Sequence, residues 1–161
     1  MGSNPMALLI TNNGLEVLNF IYCDTPEIPE TDSHIPLTWT LVVARYGDGY
    51  VSAYNFNRHQ WEIPSGGIEP DESPEDCARR ELREETSQIA GDLVCKGVFK
   101  IRESESARAV YAALYYTEIK TLHPFVPNEE TNRLRIWHVD DPDEKSTELS
   151  RWVIAMATRS T

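Results

Sequence analysis

Two periodicities alternate along the chain. Leu37 to Arg45 (LTWTLVVAR) is dense in β-branched and aromatic residues and predicts a strand. Asp48-Gly49 then forms a hairpin tip, and Tyr50 to Phe56 returns as the second strand. Upstream, Leu15 to Tyr22 alternates in part and predicts an earlier strand, while residues 1–13 read as loosely ordered. Cys23 to Pro36 carries three prolines and several acids, the composition of a surface loop. The turn Asn57 to Gln60 delivers Trp61, and Gly66-Gly67 reads as a further turn. From Ser73 to about Ser87 nothing breaks a helix: Ser73 is an N-cap, Pro74 suits the first helical position, and Glu75 and Asp76 complement the positive end of the helix.

Beyond that helix, Asp92 to Ile101 predicts a strand bent at Gly97, and Arg102 to Arg108 a polar loop. Ala109 to Ile119 is the longest apolar strand and is expected at the centre of a sheet. Lys120 to Asn132, with two prolines, reads as a loop; Leu134 to Val139 alternates as a last strand; Asp140 to Lys145 is an acidic turn. Thr147 to Thr158 has a rough apolar stripe from Leu149, Val153, Ile154 and Met156 and predicts a closing helix. Strands, a helix, more strands and a closing helix suggest a mixed sheet with helices on its faces, in an α/β or α+β arrangement.

At 161 residues one domain spanning 1–161 is expected. Net charge is −11, which argues against a nucleic-acid polymer or an anionic membrane as partner but permits small anionic ligands where a cation inverts the local field. Three cysteines, Cys23, Cys77 and Cys95, without CxxC spacing read as free thiols of a cytoplasmic protein, with Cys77 a small buried hydrophobe. No apolar run reaches membrane-spanning length, so no membrane contact is expected.

The chemistry concentrates in the Ser73 helix. Glu81, Glu84 and Glu85 are three and four apart and share one face. Three like charges repel there, and a divalent cation turns the repulsion into coordination. The bland reading is a solvated face on which Arg80 pairs with Glu84.

The order Gly66, Glu72, Arg80, Glu81, Leu82, Glu84, Glu85 reproduces the register of the Nudix box, and Trp61-Glu62-Ile63-Pro64 is similar to its usual lead-in. The chain therefore resembles the Nudix hydrolase family over Gly66 to Gln88. Two positions depart. Ser87 stands where that pattern has Gly, weakening the left-handed helix stop, and Gln88 stands where it has an aliphatic, with Ile89 expected to take that role one place late.

The resemblance implies an α/β/α sandwich with a mixed central sheet and a hydrolase acting on phosphoric anhydride bonds. Its substrate would be a nucleoside diphosphate linked to another group, a nucleoside triphosphate first. Alternatives are ADP-ribose or a nucleotide sugar, or a non-catalytic nucleotide sensor, which the complete set of carboxylates disfavours. It further implies Mg2+ or Mn2+ held by Glu81, Glu84 and Glu85 with a carbonyl near Ser65. Arg80 and Glu72 would orient those ligands, and the Gly66-Gly67 backbone would approach the metal. Homodimers are common in the family and are an option here.

The resemblance also implies a general base from the loop after the longest strand; here the only acids of that loop are Glu129 and Glu130, and Glu130 is favoured because it adjoins the next strand. Glu103, Glu105 and Glu81 compete for the role. Trp61 is either a core aromatic or a wall on which a base stacks, and Arg58 either a phosphate contact or a solvated turn residue. The histidines 59, 123 and 138 are scattered and expected at surface or turns, and Tyr111, Tyr115 and Trp137 in the sheet core.

Overall fold

The computed structural model describes residues 6–103, 108–141 and 147–159. Its strands are β1 (Leu9–Ile10), β2 (Glu16–Val17), β3 (Leu37–Tyr46), β4 (Gly49–Asn55), β5 (Gln60–Glu62), β6 (Ser65–Gly67), β7 (Val94–Arg102), β8 (Ala109–Glu118) and β9 (Thr131–Trp137); its helices are α1 (Pro74–Thr86) and α2 (Glu148–Thr158). The sheet runs β1-β2-β7-β8-β3-β4-β5, with β6 paired to β3 and β9 to β4. β8 lies at its centre and pairs in parallel with β3 and antiparallel with β7, so the sheet is mixed, as expected.

The two-residue alternation of the strands builds two cores. Leu41, Val43, Phe99, Ile101, Ala112 and Leu114 face α2 with Val153, Ile154 and Ala157. Val42, Ala44, Val98, Ala113 and Tyr115 face α1 with Ala78 and Leu82. A helix on each face gives the α/β/α sandwich. Trp137, Tyr111 and Tyr115 are buried in these cores. Among the described residues no helix is long and apolar enough to cross a membrane.

Three sequence expectations change. Leu15 to Tyr22 shortens to β2 and a single bridge, Ile21 to Val98, because Asn19 Oδ1 takes the Lys100 N–H in place of a ladder bond. Gly66-Gly67 is not a turn but part of β6, docked on Trp39 to Leu41 where β3 and β4 diverge after their shared hairpin end. The last strand begins at Thr131 rather than Leu134 because it continues the ladder with β4 as far as Asn55. The acidic turn at Asp140 runs into residues outside those described. The bend at Gly97 is present as a register shift; a Cβ there would lie 2.5 Å from the Ile21 carbonyl and from the Phe20 ring.

Candidate active site

α1 begins as its sequence dictates. Ser73 Oγ accepts the Asp76 N–H at 3.1 Å, and Pro74 stands first in the helix. The amphipathic face that buries Ala78 and Leu82 also carries Glu81 and Glu85 inward, against β6. Gly66 makes that approach feasible: a Cβ on Gly66 would lie 2.1 Å from Glu81 Cδ, so only glycine leaves room for the carboxylate. Ser65 N–H donates to Glu85 Oε1 at 3.4 Å.

Glu81 and Glu85 are hydrogen-bonded to each other. Burial raises the pKa of both. Glu85, only 5 % exposed, is pushed well above the ordinary carboxylate range, first by burial and then by the neighbouring Glu81, Glu130 and Glu62 carboxylates. Two carboxylates this buried and this close resist ionising together, and a cation between them would relieve that resistance. Their donor set is oxygen only, the chemistry that hard divalent ions select. Glu84, by contrast, has a 54 % exposed side chain and is drawn outward by Arg80 at 3.2 Å. Consequently, among the described residues, no group of three or more His, Cys, Asp or Glu side chains stands ready-made around one point.

Arg80 organises the entrance. It donates from Nε to Glu72 Oε2 at 2.7 Å and from Nη2 to Glu72 Oε1 at 3.0 Å, while Nη1 holds Glu81 Oε1 at 2.7 Å and Nη2 the Gly67 carbonyl at 3.0 Å. This fork-to-fork pair with Arg80 lowers the Glu72 pKa to about 2. The i,i+4 pairing of Arg80 with Glu84 is therefore present, but as one arm of a larger network. Cys77 lies beneath it, its thiol pushed up to about 11 by burial, and is a packing residue rather than a nucleophile.

Of the sequence candidates, Ser65, Gly66, Gly67, Glu72, Arg80, Glu81 and Glu85 converge, with Glu84 at the rim. Glu130 joins them: its charge acts on Glu85, and its Oε1 accepts from Asn55 Nδ2 at 3.3 Å. Glu129 stays exposed, and only its carbonyl is held, by Asn57 Nδ2 at 3.4 Å. Glu103 follows Arg102, which is tied to Glu16 at 2.7 Å; Glu105 lies outside the described residues. Arg58 is exposed and pairs with Glu62 at 3.2 Å. His59 and His123 are exposed, as expected.

Trp61 is half-buried but stands on the α2 face of β5, the face opposite Glu62 and the α1 carboxylates. There its ring meets Tyr54 edge-on at 5.4 Å, with the Arg135 and Arg133 guanidinium carbons 4.3 Å and 5.3 Å from its centroid. Arg133 also covers Tyr54 at 4.1 Å. This places three basic and aromatic neighbours beside Trp61 in an acidic protein.

Sequence reasoning missed Asn55, Asn128 and Gln88. Asn55 and Asn128 carry no local signal, since their role is to join segments far apart in sequence. Gln88 had one, its departure from the box. The expected substitute, Ile89, is 60 % exposed, whereas Gln88 is wholly buried and fills the aliphatic position itself. It can do so because its amide is paired on both sides, to His123 and to the Thr86 carbonyl. Ser87 does adopt the left-handed stop, at φ 62°, with its N–H bonded to the Arg83 carbonyl at 2.8 Å.

A family model described as NUDIX domain matches residues 40–155. The chain is 30 % identical over 97 residues to an RNA pyrophosphohydrolase of Bartonella henselae, a match covering 58 % of this chain and 55 % of that protein. It is 54 % identical over 41 residues to an RNA pyrophosphohydrolase of Pseudomonas putida, covering 26 % of each. The matched stretch thus spans about half the length of the first relative and a quarter of the second. Among solved structures, a Bacillus subtilis pyrophosphohydrolase superposes with TM-score 0.71 at 20 % identity, over 92 % of this chain and 93 % of that one. A MutT NUDIX hydrolase from Burkholderia pseudomallei gives 0.65 at 16 % identity, over 76 % and 98 %. At such identities these two likenesses establish the fold.

Proposed function

The chain belongs to the Nudix family, and from that premise we propose that it is a metal-dependent pyrophosphohydrolase whose substrate carries a nucleoside diphosphate linked to another group, a nucleoside triphosphate being the first choice. The observation that carries the reading is the buried Glu81–Glu85 pair, with Glu81 pressed against Gly66 where only glycine leaves room. Such a pair is costly to keep for stability alone, and a cation between the two carboxylates offsets the cost.

Glu81 and Glu85, with Glu84 swinging in from the rim and a carbonyl near Ser65, are the residues that would hold Mg2+ or Mn2+. The bound ion would supply neutralisation of charge on the pyrophosphate and acidification of a water. Arg80 fixes the Glu81 carboxylate and, through Glu72, the path of the chain into α1. Glu130, outside the paired carboxylates yet close enough to act on Glu85, is the group that takes the proton as water adds to phosphorus and the P–O–P bond breaks.

A second reading, in which the triphosphate is the 5′ end of an RNA, is favoured by the names of the relatives and by the Arg133–Arg135–Trp61–Tyr54 face, where bases can stack and phosphates can meet guanidinium groups. The acidity of the whole chain weighs against it.

The test is a phosphate-release screen with Mg2+ over nucleoside triphosphates, ADP-ribose, dinucleoside polyphosphates and 5′-triphosphorylated RNA, with p-nitrophenyl phosphate as the monoester control. One anhydride class should be turned over, and EDTA should abolish it. Activity that survives EDTA, or cleavage of the monoester alone, overturns the proposal.

A further inference from the structure

The two departures from the box lie side by side at the end of α1, and both side chains reach the same loop. Ser87 Oγ accepts the Val126 N–H at 2.9 Å. Gln88 Oε1 accepts the His123 N–H at 2.8 Å, and Gln88 Nε2 donates to the His123 carbonyl at 2.8 Å and to the Thr86 carbonyl at 3.0 Å. The amide thus pairs with His123 as one strand residue pairs with another, and it does so fully buried. A glycine and an aliphatic at these positions would make none of these side-chain bonds.

The loop is then laced to the last turn of α1. Asn128 Nδ2 donates to the Glu84 carbonyl at 2.8 Å, and Thr131 Oγ1 to the Glu85 carbonyl at 2.7 Å, satisfying carbonyls that a helix end leaves without partners. Asn128 Oδ1 accepts the Glu130 and Thr131 N–H groups, both at 2.8 Å. From the β4 side, Phe56 N–H meets the Glu130 carbonyl at 3.2 Å. Glu130 is therefore gripped through its backbone on both flanks, while the segment before it holds on by Gln88 and Ser87.

We infer that Gln88, assisted by Ser87, is a positioning residue for Glu130: it docks the His123–Glu130 segment on the C-terminal turn of α1 and so fixes the carboxylate that Asn55 holds on the Glu85 side of the site. The inference rests on the role given to Glu130 above. Gln88 acts through the loop it holds, its side chain bonding to Thr86 and His123. A moving loop would strip the buried amide of both its bonds to His123 and leave Oε1 without a donor, so the docked arrangement is preferred.

The test uses the full chain with Gln88→Met, which preserves length and burial but removes every amide bond. Backbone amide exchange is followed at His123 and Val126, and turnover is measured on the preferred nucleotide. Exchange at His123 should quicken by about tenfold or more, the loss expected of a released hydrogen bond, with β8 unchanged. The kcat should fall by about tenfold or more with KM altered less than about twofold, the signature of a contact felt in the transition state. In a Glu130→Gln background the same substitution should cost nothing further, because Gln88 acts only through Glu130.

Unchanged exchange overturns the docking. Quickened exchange with normal kcat overturns the positioning role, as does a kcat loss that multiplies undiminished in the Glu130→Gln background. If the wild type hydrolyses no anhydride, the proposed function and the role of Glu130 fall together, while the exchange result still decides the docking. Should Gln88→Met not fold, Gln88→Leu, which likewise removes every side-chain bond and keeps the site apolar, takes its place in every arm.

Discussion

Glu85→Gln should make the metal-free protein more stable near neutral pH, not less. In the native state Glu85 is buried, bonded to Glu81, and faced by the charges of Glu130 and Glu62; burial first and those charges next hold its pKa well above the ordinary 4.5. Between 4.5 and that raised value, the folded protein keeps a proton that the unfolded chain has released. Stability is therefore greatest below the unfolded value and falls as pH rises through the window. One proton corresponds to about 1.4 kcal/mol per pH unit. For a domain of this size that is a Tm loss of about 3–6 °C per unit.

Glutamine cannot ionise and relieves Glu81 of a like charge, so the variant should lose most of this slope. Thermal melts in EDTA from pH 5 to pH 8 measure it. Glu72, with its lowered pKa, titrates below that range, and His138 is common to both proteins, so the difference between the two curves isolates Glu85. Adding Mg2+ should raise the wild-type Tm more at pH 8 than at pH 6, because the ion displaces the proton; at a hundredfold excess over Kd the gain is about 2.7 kcal/mol. Parallel pH slopes for the two proteins, or a variant several degrees less stable at pH 8, would refute the reasoning.

Glu130→Gln should lower kcat by about 10²–10⁴-fold with Mg2+ affinity little changed; a variant within about twofold of wild type moves the base elsewhere. Gly66→Ala should displace the Glu81 carboxylate, since its Cβ would fall 2.1 Å from Glu81 Cδ, and a misplacement of that kind costs about 10²-fold in turnover, checked by steady-state kinetics on folded protein. Ser73→Ala should cost about 1 kcal/mol of stability through the lost bond to Asp76, read as a Tm shift, with kcat at 25 °C unchanged.

The sheet core was legible because its residues obey one local rule. Leu41 and Val43 point one way, and Val42 and Ala44 the other, whatever else the chain does. The helix was legible because its cap, its first proline and its breaker all lie within a few residues of it. What escaped were features that a distant partner decides. Ser65–Gly67 has no intrinsic strand signal; it is a strand because β3 offers it a free edge. For Trp61 the sequence leaves a core aromatic and a stacking wall open, because the face it occupies depends on register, and the register sets it among arginines on the α2 face rather than among the carboxylates. The carboxylates themselves were readable as one helix face. That two would turn inward while the third turned out to Arg80 follows from burial, which spacing does not express.

Ser87 and Gln88 carry the most instructive mismatch. Taken locally they are faults: a left-handed residue with a side chain, for which the steric cost is roughly 1–2 kcal/mol, and a polar amide at an apolar site. Local rules broken at adjacent positions point to a shared compensation, and here both side chains bond to one loop, at Val126 and His123. A glycine at 87 would restore the easy helix stop and free the Val126 amide; an aliphatic at 88 would suit the pocket and leave His123 with neither bond. The pair thus exchanges local comfort for attachment of the segment that leads to Glu130. A departure from a motif is then as informative as agreement with it, because it marks where this chain holds its fold together by means of its own.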